Sequence, residues 1–233
     1  MNGNANPFAL HGSIPDLTQL QTYSVNRKGE YEGVRQTLYD FQTYAAAGQS
    51  QLQFFQVPLG QAGKTLEDSN MDQAGSLPTP KYFLVESIEI YFYPAGDISR
   101  LQSGVAGSLV ATEFSNDVKA VAEQGALTYF IGSKNYLQEA PLNRFPPKTC
   151  LKTEGAFGLQ TKQAVAADSE IALTYDYAVF SGRPYYINPA TLLIPTQNFK
   201  VSLEWPSGVV ALPSAVDARI GIVLDGILYR QSQ

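Results

Sequence analysis

KYFLVESIEIYFYP, residues 81–94, is the longest strand-like run in the chain, and its reading decides the fold. One set of alternate positions is Leu84, Glu86, Ile88, Ile90 and Phe92; the other is Phe83, Val85, Ser87, Glu89, Tyr91 and Tyr93. A strand with one face in a core and one in water separates apolar from polar residues between these sets. Here both sets hold aromatic or branched side chains, and each holds a carboxylate. Phe83, Val85, Tyr91 and Tyr93 facing water together would leave a large apolar patch. They are therefore expected to form a subunit interface, covered by another copy of the chain and in part by the long connections at 58–80 and 95–125.

Working outward, the C-terminal third is the clearest. NFKVSLEW (198–205) alternates without error, and ARIGIVLDGILYR (218–230) places Ala218, Ile220, Ile222, Leu224 and Leu228 on one face. EIALTYDYAVF (170–180) is a strand, and PYYINPATLLIP (184–195) is a strand broken at Pro189. Earlier, QLQFFQV (51–57), GALTYFIG (125–132) and a short run from Phe157 to Leu159 read as strands. Residues 58–80 are loop, interrupted by Gly60, Gly63, Gly75, Pro78 and Pro80. Residues 133–148 are too Pro-rich for a core element. Two helices are expected. Val34, Leu38, Phe41 and Ala45 fall at helical spacing before Gly48. Asn116 caps a second helix carrying Val118, Val121 and Ala122, with Gly125 past its end.

The count is about eight strands, without repeats and without the strand–helix alternation of a parallel sheet. The expected fold is all-β, an eight-stranded antiparallel jelly-roll sandwich with a short helix in a long loop. Residues 1–50 form an extended N-terminal arm with a short helix, ordering against a neighbour, and 51–233 form a single domain. A compact double roll is the alternative if short strands have been merged.

Composition removes several classes. The chain has 233 residues, 44% hydrophobic and 16% charged, with a net charge of -5, so no broad phosphate-binding face is present. One cysteine, Cys150, permits no intrachain disulfide and points to a reducing compartment. The N-terminus lacks the charged and apolar regions of a signal peptide, and no run reaches the ~18 apolar residues of a membrane span.

Motifs for chemistry fail on inspection. GQAGKTLED (60–68) ends like a P-loop at Gly63, Lys64 and Thr65, but Pro58 replaces the first glycine. Asp68, Asn70 and Asp72 alternate as in a calcium loop, yet Gln73 and Thr79 stand where the EF-hand needs Gly and Glu. A calcium ion of another kind near Asp68 and Asp72 stays open. His11 is the single histidine, which leaves no triad and no zinc site. Glu86 and Glu89 are three apart, so on a straight strand they face opposite ways and cannot flank one glycosidic bond. Asp168 and Glu170 share a face, but among small residues at a strand's start. The expectation is a non-enzyme without cofactors. The 14 tyrosines support a rival reading, a carbohydrate- or receptor-binding β-sandwich such as a phage spike or accessory protein.

The blocks FFQVPLGQAGKTLEDSNMDQAGSLPTPKYFLVESIEIYFYP, GSKNYLQEAPLNRFPP and ARIGIVLDGILYR resemble the major capsid proteins of small tailless icosahedral DNA phages, over roughly residues 50–230. The resemblance implies a viral jelly roll packed beside copies of itself in a shell that encloses the genome. Its partners would be further copies and other virion proteins, its location the virion, after assembly in the host cytoplasm. It brings no catalytic residues. With an acidic balance, contact with packaged nucleic acid would be local, through Arg27, Lys28 and Arg35 near the arm.

Overall fold

The computed structural model of the chain describes residues 31–94, 110–148, 157–164, 167–174 and 182–231, with side chains for 31–94, 117–148 and 182–231. The elements in order are β1 (Glu32–Tyr44), β2 (Gln51–Phe54), β3 (Tyr82–Tyr93), α1 (Val110–Gln124), β4 (Ala126–Ile131), β5 (Lys134–Glu139), a 3-10 turn (Leu142–Arg144), β6 (Phe157–Ala164), β7 (Ala167–Thr174), β8 (Tyr185–Leu193), β9 (Phe199–Glu204) and β10 (Ala218–Arg230). Residues 1–30 of the expected arm, with His11, Arg27 and Lys28, together with Cys150 and residues 175–180 of the expected strand at 170–180, lie outside the described residues.

All pairings are antiparallel. One sheet has the order β1-β10-β3-β8, the other β2-β9-β4-β5, and β6-β7 form a separate hairpin. Hairpin aside, the eight strands nest: β1 pairs β10, β2 pairs β9, β3 pairs β8, and β4 pairs β5. The pairs β10–β3 and β9–β4 then join the two halves of each sheet. A shared core lies between the sheets. From the first come Leu38, Tyr44, Phe83, Ile88, Ile222 and Leu224, and from the second Phe54, Leu127, Tyr129, Phe199, Val201 and Leu203. Tyr44 and Trp205 meet edge to face at 5.1 Å near one end of this core.

The two apolar sets of residues 81–94 have a local cause. The β3–β10 register slips between Val85 and Ser87, so Glu86 is an extra residue opposite Asp225 and Gly226. A bulge reverses the parity of every residue beyond it. Phe83 and Val85 point inward before it, and Ile88, Ile90 and Phe92 point inward after it. Each large apolar side chain turned inward gains about 1.5–3 kcal/mol. That outweighs the one ladder hydrogen bond a bulge disturbs, worth about 0.5–1.5 kcal/mol. Phe83 and Val85 are each 0% exposed, so their assignment to a subunit interface is corrected: they fill the sandwich's own core.

The helix expected over 34–48 is instead β1. A spacing of four is even, so Val34 and Leu38 share a face in a strand as readily as in a helix. The stretch is rich in Thr, Tyr and Phe, which suit a pleated surface, and it pairs with β10 along its whole length. Residues assigned to the arm thus build a strand of the sandwich. Asn116 lies within α1 and does not cap it. Gly125 does follow that helix, but for a steric reason: a Cβ there would stand 2.4 Å from Leu142 and 2.8 Å from the Trp205 indole nitrogen. Residues 134–139, placed in an irregular segment, form edge strand β5 ahead of Pro141, Pro146 and Pro147. In β8 the chain stays extended through Pro189, while residues 187–190 lie opposite the single residue Glu86.

The loop at 58–80 closes over the free edge of β1. The Phe41 N–H donates to the Asp68 carbonyl at 2.7 Å. The Asn70 side chain accepts from the Tyr39 N–H at 3.0 Å and donates to the Thr37 carbonyl at 2.7 Å. Beneath lies Asp40, buried, accepting the Phe55 N–H at 2.6 Å and the Lys64 ammonium. Lys64, the lysine of the P-loop-like stretch, is therefore committed to an internal ion pair. Burial pushes the Asp40 carboxyl above its ordinary range, and Lys64 and the Phe55 N–H pull it back.

A Cβ at Gly226 would stand 1.8 Å from the Leu84 carbonyl oxygen, inside the bulge. Gly226→Ala should lower the unfolding free energy by about 1–3 kcal/mol or more, read by urea denaturation; an unchanged midpoint would remove the bulge from its central place. Lys64→Ala strips the buried Asp40 of its cation and should cost about 3–5 kcal/mol at pH 7.5. Because the folded pKa of Asp40 is raised, the folded chain takes up a proton in acid before the unfolded chain does. The penalty should therefore shrink as pH falls through that raised value and grow as pH rises. Denaturation at pH 7.5 and 4.5 gives the sign.

Candidate assembly surface

The two sheets present different outer faces. On the second sheet the outward residues of β2 and β9 are polar. The Gln51 amide donates to Ser202 Oγ at 3.0 Å and to Glu204 Oε1 at 2.9 Å, and the Ser202 hydroxyl donates to the same carboxylate at 3.1 Å. Lys200 lies over the Phe130 ring at 5.1 Å. This face follows the alternation of NFKVSLEW, with Phe199, Val201 and Leu203 inward and Lys200, Ser202 and Glu204 outward.

The outer face of the first sheet has three zones. At one end Leu84, Leu192, Ala190 and Tyr229 form a second buried cluster, flanked by Tyr31, Tyr82, Ile194 and Ile227. Part of the second apolar face of residues 81–94 is thus sheltered within one chain. The middle zone is ionic. Arg35 bridges Glu86 at 3.0 Å and Asp225 at 2.6 Å, and the Lys148 ammonium reaches Asp225 at 3.2 Å. Glu89, buried, accepts from the Lys148 backbone N–H at 2.8 Å and the Tyr91 hydroxyl at 3.0 Å.

The bulge also corrects the geometry expected of the acids. Glu86 and Glu89 do not face opposite ways: both join the ionic zone of the outer face. Each is engaged by cations or N–H and O–H donors of the chain itself. Arg35, expected as a genome contact, is committed to two carboxylates.

The third zone is an aromatic strip across three strands. Phe41 of β1 stacks on Tyr93 of β3 with centroids 6.2 Å apart and planes at 25°, and meets Tyr91 at 6.2 Å and Tyr39 at 6.1 Å. The Arg219 guanidinium lies 4.7 Å over the Phe41 ring. Between the two aromatic strands sits Gly221, directly opposite Phe41 in the register. A Cβ there would come within 2.1 Å of the ring, so the bare glycine is what lets Phe41 lie flat across β10. Tyr93 is 39% exposed; Tyr91 and Phe41 are half-buried. Of the four interface residues named from sequence, Tyr91 and Tyr93 are on this surface. Tyr39, Phe41 and Arg219 were missed, because reading residues 34–48 as a helix removed β1 from beside β10.

The acids considered for calcium have protein partners. Asp68 accepts from the Thr65 N–H at 3.1 Å, the Thr65 hydroxyl at 3.2 Å and Arg219 at 3.1 Å, and chiefly that N–H holds its carboxyl below the ordinary value. Asp72 pairs with Lys81 at 2.5 Å. Among the described residues no group of three or more His, Cys, Asp or Glu side chains is placed to hold a metal ion, and no helix is long and apolar enough to cross a membrane. No family model, curated protein or solved structure matches the chain.

Proposed function

We propose that this chain is a structural virion protein, a jelly-roll subunit that assembles with its own copies into an icosahedral capsid shell around a phage genome. The observation that carries the reading is the nested strand order. Pairing first with last, second with seventh, third with sixth and fourth with fifth, hairpin β6–β7 aside, is the order produced by winding one long antiparallel ribbon into two sheets. The unlike outer faces support it too. The second sheet is polar on the outer side of β2 and β9, while the first carries the aromatic strip, and interfaces are enriched in Tyr, Phe and Arg and depleted of other charge. A shell subunit meets several neighbours, and many modest contacts add up to a stable particle. With Arg35 held by Glu86 and Asp225, local genome contact in this reading falls to Arg27 and Lys28.

The same strip favours a second reading, a carbohydrate-binding sandwich in which Tyr93 and its neighbours stack on sugar rings. Size-exclusion chromatography with light scattering, followed by negative-stain microscopy of the full chain, separates the two. Closed particles or large discrete oligomers are expected. A monomer at tens of micromolar would overturn the shell reading, and a monomer retained on immobilised glycans would establish the rival. Replacing both Tyr91 and Tyr93 by Ser should cut particle yield by about tenfold or more. The urea midpoint should move little by comparison. Unchanged yield would remove the strip from the interface.

A further inference from the structure

Along β1 the odd-numbered residues direct their backbone groups away from β10. The loop at 58–80 reveals this, because the Tyr39 and Phe41 N–H groups and the Thr37 carbonyl all bond to residues 68–70. By the same alternation Gly33 and Arg35 turn an N–H and a C=O each toward the outer edge. Among the described residues these four groups have no hydrogen-bond partner, and residues 33–36 are exposed. The loop thus closes the edge over residues 37–41 and leaves it open over 33–35. An open edge is a template for another strand.

We propose that this open segment is a two-fold contact, in which residues 33–35 of one copy pair antiparallel with the same residues of a second copy. The outward groups lie symmetrically about Val34, so the strand is complementary to itself. Gly33 of each copy faces Arg35 of the other, all four groups on each copy are satisfied, and Val34 sits on the axis. Val34 is 36% exposed, and across the axis it would meet its own copy at the short spacing of a non-hydrogen-bonded pair. A register centred on Arg35 is excluded twice. It sets two guanidiniums face to face, and it needs the Thr37 carbonyl, which Asn70 already holds. That same block stops the ladder at residue 36 on its C-terminal side.

The contact stands apart from the shell reading. Dimers without particles would retain it and end that reading, whereas particles lacking it would do the reverse. The test uses the full chain carrying Cys150→Ser, so that no native thiol competes. With Val34→Cys added, mild oxidation should give a disulfide-linked dimer on a non-reducing gel, because the two Cα atoms would lie about 4.5 Å apart, within disulfide reach. With Gln36→Cys instead, the two sulfurs are four residues out of register, about 13 Å apart along the strand, and linkage should fall by about tenfold or more. Absence of linkage at 34, or equal linkage at 36, overturns the proposal. A second measurement avoids oxidation. Val34→Lys, which brings two ammonium groups together on the axis, should shift the dimer–monomer equilibrium toward monomer by about tenfold or more in light scattering, while Val34→Thr should not. Persistence of the dimer in Val34→Lys overturns it equally.

Discussion

The contact on which the rest of this structure depends is the approach of Gly226 to the Leu84 carbonyl, where β10 passes the bulge in β3. Only a residue without a Cβ fits there. With Glu86 looped out, the same strand keeps Phe83 and Val85 in the core on one side and Ile88, Ile90 and Phe92 on the other. Without it, one group or the other would be turned to the outside, at about 1.5–3 kcal/mol for each large side chain. The slip also gathers Glu86, Glu89 and Asp225 on one surface, where Arg35 and Lys148 meet them.

A second joint binds loop to sheet. Asp40 is an acid on the inward face of a strand, a position that costs several kcal/mol unless its charge is answered. The Phe55 N–H and Lys64 answer it from two different segments, which fixes where the loop at 58–80 lies. From there Asn70 and Asp68 bond along β1, and Arg219 links Asp68 to the aromatic strip through its stacking on Phe41. One buried charge therefore positions both the edge cover and the outer aromatic cluster.

Legibility in the sequence followed how local each determinant was. Strands β9 and β10 alternate cleanly: β10 has the bounds expected, 218–230, and β9 lies one residue inside the expected 198–205 at each end, since one face of each is in the core. The strand at 81–94 was recognised, but its double apolar face was assigned to a neighbouring molecule when a slip in pairing explains Phe83 and Val85. That slip depends on Gly226, some 140 residues away in the chain, and leaves no local mark beyond Glu86 itself. β1 was read as a helix because a spacing of four suits both geometries, and only its partner β10 decides between them. β5 was hidden by the prolines that follow it and by its polar, exposed edge character. Of the surface aromatics, the outward placement of Tyr91 and Tyr93 was legible in the alternation of residues 81–94. Phe41 and Arg219 needed the register of three strands.

The first sheet has a second margin, at β8, and it is unlike the first. Pro189 lacks an N–H, and the stretch 187–190 bows out opposite Glu86, so a further strand laid along β8 would find its row of donors interrupted. The first sheet is therefore polar in its growth: an added strand finds a usable ladder at β1 and an interrupted one at β8.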